Sequence, residues 1–414
     1  MPSPFPALSA RVRSTGGRLV RRLGLLPGGE PDGLGEDDTL ADLALEQRVA
    51  VFFPEPSRNA YQLEQWLEPL AALDERHGVV LVTQDSRTTA RLRTLTRLPV
   101  HCVARTATLE RLVGRSALGL ALYVSHHPRN SHMLRFASVA HVYLGHGESD
   151  KAVSASNQLK AYDFSFVAGQ AGIDRVREEL MWFDLDRLVV VGRPQLPAAV
   201  PRRSTGAGEP PTVLYAPTWE GAQPAMAYSS VATHGAALVR SLLAAGLRVV
   251  YRPHPRTGAN RREVAAADAA LRRVFAEPAA RATGSTVDDG SPLAEAFAGA
   301  DVLVTDVSSL ATEWLPTGRP LVVTVPQEPG AVVRPSALLA AVPRLTAAEA
   351  GAAGALVRRC LADDAERDVR ARLRVHHLGD PADGPATRRF LSACADVLAA
   401  RDARQSARTT GVGR

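Results

Sequence analysis

Four short stretches join residue types that handle protons and phosphate. Gly145-His146-Gly147 ends an apolar run. Its glycines let the backbone turn and approach a ligand closely, leaving one imidazole at the turn. Such a histidine can take a proton from a hydroxyl or hold a phosphate, or it can be a plain turn residue. In Tyr251-Arg-Pro-His-Pro255, prolines fix the backbone on both sides of His254, and Arg252 and Arg256 flank it, a cluster suited to an anion. The run Thr305-Asp-Val-Ser-Ser309 places Ser308 or Ser309 as a helix cap, where N–H groups and hydroxyls offer an anion site of about half a positive charge. Glu313, one turn on, suits a ribose hydroxyl or solvent. In Tyr215 to Glu220, Thr218 can donate to a phosphate, while Trp219 suits the core better than a base. Gly192-Arg193-Pro194 adds one more basic side chain. Lys151, one of only two lysines among 49 Lys and Arg, follows Glu148-Ser149-Asp150 just after the first stretch.

Other chemistries lack their fingerprints. There is no GxGxxG after a strand, no GxxxxGK[ST] and no GxSxG, so dinucleotide oxidoreduction, a P-loop and a nucleophile elbow are set aside. His126, His127 and His132 lack carboxylates or cysteines at zinc-like spacing, so neither a metal nor another cofactor is expected. A formal charge of +6 favours anionic partners: phosphorylated substrates, an anionic membrane or nucleic acid. Aromatics at 5% and no basic stretch interleaved with them argue against nucleic acid. Cys102, Cys360 and Cys394 are scattered, as buried thiols in a reducing compartment would be.

No apolar run approaches the ~20 residues that cross a bilayer, and the basic N-terminus lacks a signal-peptide core and cleavage site. Leu8, Val12, Leu19, Leu23 and Leu26 nevertheless recur at helical spacing among arginines. An interfacial helix on anionic lipid would look like this, although Gly16 and Gly17 weaken it by about 1 kcal/mol each. The expected location is cytoplasmic; contact with the inner face of the cell membrane is one reading of that stretch, and a loose tail or a packed helix are the others.

The elements that must position these loops alternate. Apolar runs at 49–53, 78–82, 99–103, 120–124, 141–144, 163–167 and 188–191 predict strands, with a helix over 61–76. A Pro/Gly-rich stretch at 197–211 separates them from runs at 213–215, 248–251, 301–304 and 321–325, with helices at 235–245, 293–298 and 309–315. Short continuous apolar runs divided by helix-length segments read as parallel sheets covered on both faces. The expectation is a basic N-terminal segment (1–45), a Rossmann-like domain (46–200), a linker (201–211), a second Rossmann-like domain (212–400) and a basic tail (401–414). Ligands bind at the carboxyl ends of strands in such sheets, so two facing domains would turn all the unusual loops toward one interdomain cleft.

Taken in order, His146-Gly…Lys151, Ala216-Pro-Thr-Trp219, Arg252-x-His-Pro255, Thr305-Asp-x-Ser-Ser309 and Gly318-Arg-Pro320 resemble the CDP-glycerol glycerophosphotransferase family over roughly residues 120–325. These are the teichoic-acid primases and polymerases of Gram-positive envelopes. The resemblance implies a GT-B fold, and transfer of a polyol phosphate from a CDP-activated donor to an acceptor hydroxyl with release of CMP. It matches His146 and His254 to the family's essential histidines, and Ser308 and Ser309 to residues lining the donor diphosphate. Arg252 and Thr218 join that phosphate site, Asp306 and Glu313 are assigned to the nucleotide, and Gly145, Gly147, Lys151 and Arg193 to the acceptor side or cleft. The implied partners are a CDP-polyol and a phosphorylated or lipid-linked acceptor. Where the family commonly has Thr-Pro-Leu-Lys, this chain has Glu148-Ser-Asp-Lys151, and Gly192-Arg-Pro-Gln-Leu196 lacks the acid of Gly-x-Pro-Arg-x-Asp. The acids would repel a polyanionic acceptor, so a different acceptor or polyol fits. Two alternatives stand: a GT-B glycosyltransferase or 2-epimerase using a UDP-sugar, and a non-catalytic envelope-assembly protein binding phosphate polymers.

Overall fold

The computed structural model describes residues 34–40, 42–147, 156–196, 200–202 and 208–411, and in it the apolar runs become two all-parallel sheets. The first holds β1 (Val49–Phe53), β2 (Val79–Thr83), β3 (Val100–Cys102), β4 (Leu120–Tyr123), β5 (Ala140–Tyr143), β6 (Phe164–Val167) and β7 (Leu188–Val190), in the order β3-β2-β1-β4-β5-β6-β7. The second holds β8 (Thr212–Ala216), β9 (Arg248–Tyr251), β10 (Thr286–Val287), β11 (Val302–Thr305), β12 (Leu321–Thr324) and β13 (Arg344–Leu345), in the order β10-β9-β8-β11-β12-β13. Both are doubly wound, and the order reverses beside the first strand of each half, which is where ligands bind. The strands lack polar alternation because helices cover both faces: β1, β2 and β8 are buried at every residue.

The helix expected over 61–76 is two, Tyr61–Glu64 and Leu67–His77. Pro69 has no N–H to give the Gln65 carbonyl, and its ring crowds that carbonyl, so the first helix stops there. The break turns Gln65 and Trp66 toward the loop after β5.

The C-terminus also departs from the expected boundaries. The helix Ala386–Gly411 returns to the first sheet. Phe390, Leu391, Cys394, Val397 and Leu398 fall on one helical face and share a core with Val49, Val51 and Leu120. Each large apolar side chain so buried contributes roughly 1.5–3 kcal/mol. Residues past 400 are therefore helix rather than tail, pinned by Arg48 to Asp402 at 2.8 Å and by Arg401 Nε donating to Ser138 O at 2.7 Å. The helix Arg367–Leu378 lies between the halves, where a Cβ on Gly169 would meet the His376 carbonyl at 2.5 Å.

All three cysteines are buried. Among the described residues no helix is long and apolar enough to cross a membrane. The stretch 8–26, read as an interfacial helix, and the segment with Glu148, Asp150 and Lys151 lie outside the described residues.

Candidate active site

On the first wall, Gly145 turns the chain after β5 with φ +65°, a left-handed conformation that favours glycine. The carbonyls of the turn are fixed: Trp66 Nε1 donates to Gly145 O at 2.8 Å and Gln65 Nε2 to His146 O at 2.7 Å. His146 Nδ1 lies 3.0 Å from the Val124 carbonyl, which can only accept. That bond places the proton on Nδ1 and the lone pair on Nε2. Gly147 reaches the opposite half, where an added Cβ would meet Ser309 Cβ at 3.3 Å. Behind His146, His126 stacks on Tyr143 at 4.1 Å. Burial, aided by the neighbouring His146, pushes it down to about 4, so it is neutral at pH 7.

On the second wall, the backbone N–H of Arg256 donates to His254 Nδ1 at 3.0 Å, so the imidazole proton sits on Nε2. The two histidines thus carry opposite tautomers, one presenting a base and the other a donor. The loop around His254 is held by Glu220, whose carboxylate accepts N–H bonds from Gly258, Asn260 and Arg261 at 2.7 to 3.2 Å. Trp219 is not the core residue expected. It is half-buried on the cleft wall, stacked 6.2 Å from His254 with the Arg256 guanidinium 3.8 Å over its face. A ring in contact with both a cation and an imidazole has no place among core aliphatics.

Arg252 reaches the cleft already paired with Asp288, and its Nη2 donates to Ser291 O at 2.8 Å. Burial pushes the Asp288 carboxyl up. Ser291 through its N–H and hydroxyl, the Gly290 N–H and Arg252 outweigh that and hold it at about 2. The helix after Ser308 is only Ser309–Glu313, so it aligns few peptide dipoles and brings less than the half charge expected. Ser308 makes no side-chain cap bond. Its Oγ lies 3.2 Å from Thr305 Oγ1 and, with Ser309, lines the cleft.

Asp306 departs from its nucleotide assignment. It is fully buried and absent from the cleft lining. Its oxygens accept from the Thr218 N–H at 2.7 Å, the Ser230 N–H at 3.2 Å and the Thr324 hydroxyl at 2.5 Å. It therefore ties the ends of β8 and β12 together and positions Thr218. Burial pushes its carboxyl up to about 6 despite these bonds. Glu313 is buried rather than facing solvent. It lines the cleft and takes Arg193 Nη2 from the other half at 2.9 Å, with 6% and 7% of the two side chains exposed.

The loops of both halves enclose one cavity of about 1020 Å³. Its lining includes Gly145, His146, Gly147, Arg193, Thr218, Arg252, His254, Ser308, Ser309 and Glu313. Of the residues singled out by sequence, Asp306 is excluded and Lys151 is outside the described residues. One residue was missed. Tyr61, opening the first helix after β1, meets His146 edge-on at 6.4 Å and His254 edge-on at 6.1 Å. Nothing in its type or spacing marks it. Among the described residues, no three His, Cys, Asp or Glu converge as a metal site.

Residues 149–328 match the model of a family described as CDP-Glycerol:Poly(glycerophosphate) glycerophosphotransferase, so the resemblance read from the motifs is shown over that span. No protein of curated function matches. The structure is similar to the wall teichoic acid polymerase TagF, at 11% identity over 97% of this chain and 100% of that one, with a TM-score of 0.54. A TagF variant soaked with CDPG gives 11%, 90%, 93% and 0.53. A putative UDP-N-acetylglucosamine 2-epimerase from Listeria monocytogenes gives 12%, 84%, 96% and 0.55. At these identities the likeness is one of fold, two facing Rossmann-like halves of the GT-B type.

Proposed function

We propose that the protein transfers a polyol phosphate, glycerol phosphate or a close analogue, from a CDP-activated donor to an acceptor hydroxyl, releasing CMP. The observation that carries this reading is the pair of opposed imidazoles. His146 presents a lone pair from one wall and His254 presents an N–H from the other, across a cavity large enough for a nucleotide donor and an acceptor terminus.

In this mechanism the first domain holds the acceptor and the second the donor. His146 Nε2 takes the proton of the attacking hydroxyl. His254 Nε2–H, the hydroxyls of Ser308, Ser309 and Thr218, and Arg252 hold the diphosphate and meet the charge that develops on the leaving phosphate. Glu313 and Arg193 join the two walls, and Lys151 neutralises phosphate charge. The acceptor is phosphorylated or lipid-linked and is met at the inner face of the cell membrane, with the basic, apolar-periodic stretch 8–26 as the contact. The family match over residues 149–328 supports the donor class, and the UDP-sugar alternative gains nothing specific from the cleft.

The test is CMP release from CDP-glycerol and CDP-ribitol, and UDP release or epimerisation of UDP-sugars, by wild type, His146→Ala and His254→Ala, each variant checked for folding. Both substitutions are expected to lower CDP-alcohol turnover by about 10²–10⁴-fold. Near-wild-type turnover by a folded variant removes its residue from the mechanism. UDP-sugar turnover by wild type would replace the reading.

A further inference from the structure

We infer that the Tyr61 hydroxyl donates a hydrogen bond to the phosphoryl group that passes from donor to acceptor, which makes Tyr61 a catalytic residue of the reaction proposed above and rests on that reading. The chain has seven tyrosines. Tyr123, Tyr162, Tyr215, Tyr228 and Tyr251 all hydrogen-bond through their hydroxyls, to His141, Asn130, Ser230, the Val332 carbonyl and Asp268. Tyr143 also has an interaction partner. For the Tyr61 hydroxyl no hydrogen-bond partner is found among the described residues, and the side chain sits half-buried in the cleft lining.

Its place in the cleft says which partner it lacks. The ring stands edge-on to both imidazoles, at 6.4 Å from His146 and 6.1 Å from His254. The attacking oxygen belongs beside His146 and the diphosphate beside His254, so the phosphorus under attack lies in the gap that Tyr61 borders. Tyr61 is also fixed relative to the base. Gln65 and Trp66, one turn further on, hold the carbonyls on either side of the His146 backbone N–H.

Two of the arginines that line the cleft are already engaged, which makes a neutral donor useful beside them. Arg252 is paired with Asp288 and Arg193 with Glu313, so neither brings a whole uncompensated charge. In the step itself the acceptor oxygen bonds to the phosphorus that carries the polyol, and its proton goes to His146 Nε2. The bond from that phosphorus to the CMP phosphate oxygen breaks, and CMP leaves with the electron pair. Charge spreads over the non-bridging oxygens, and Tyr61 donates to one of them while keeping its proton.

Tyr61→Phe removes the hydroxyl and keeps the ring between the histidines. The expected result is a fall in kcat for CMP release of about ten- to a hundredfold, with KM for the donor changed less than about threefold and an unchanged thermal midpoint. A residue that only packs the cleft would leave kcat untouched in this variant and lose it in Tyr61→Leu, and that outcome overturns the inference. If wild type turns over no CDP-alcohol, the transfer reading fails by itself. Tyr61 is then read by calorimetric titration with inorganic pyrophosphate: about three- to tenfold weaker binding by Tyr61→Phe keeps the phosphoryl contact, and equal binding removes it.

Discussion

Asp306 offers a measurement in which the structure fixes both sign and size. Its carboxyl titrates near 3.8 in an unfolded chain and at about 6 in the folded protein, where burial raises it. Below 3.8 both states hold the proton and the group leaves stability unchanged. Between 3.8 and 6 only the folded state holds it, so stability falls as pH rises, and above 6 the loss is complete. At 1.36 kcal/mol per unit the loss is about 3 kcal/mol. Asp306→Asn keeps the shape and removes the titration. The asparagine oxygen can accept the Thr218 and Ser230 N–H groups, and the Thr324 hydroxyl can turn to accept from the amide. Urea unfolding of wild type and variant from pH 4 to 8 isolates the effect, because other titrating groups cancel in the difference. The variant should gain on wild type by about 2.4 kcal/mol between pH 4 and 7, nearly all of it below 6.5. A difference that stays flat with pH, or that moves in wild type's favour as pH rises, refutes the account of Asp306 as a buried structural carboxylate.

Two further predictions concern the devices that hold the walls. Arg193→Met leaves the Glu313 carboxylate buried without its cross-domain cation and should cost about 3–5 kcal/mol in urea unfolding; Arg193→Met with Glu313→Leu should recover most of that. A double variant no more stable than the single would show that the pair does not act as a unit. Glu220→Gln puts an amide where a carboxylate oxygen now accepts backbone N–H groups, so at least one of Gly258, Asn260 and Arg261 loses its acceptor. The expected cost is about 1–3 kcal/mol of stability, with lower turnover because the His254 loop loosens; an unchanged thermal midpoint would count against that role.

The sequence was legible where one residue type has one physical use. Continuous apolar runs have to be strands covered on both faces, and glycine, proline and histidine at their ends have to be turns. Those readings place the cleft and most of its lining. β10 and β13 escaped because each is two residues long with one partly exposed edge, too short to carry a pattern. The apolar face of the last helix could serve either core, and only the folded chain sends Phe390 and Leu398 to the first. The harder failures were carboxylates and aromatics. Asp306 and Glu313 both follow β11 by a few residues, yet one is closed in by Thr218, Ser230 and Thr324 and the other meets Arg193 across the cleft. Trp219 and Tyr61 turn to the cleft rather than the core because His254 and Arg256 in one case, and both histidines in the other, stand opposite them. In each case the deciding neighbour lies dozens of positions away, and what it decides is whether a polar group is left over for a ligand. A hydroxyl left without a partner among the described residues, such as that of Tyr61, is therefore a property of the assembled cleft, and no local motif could have announced it.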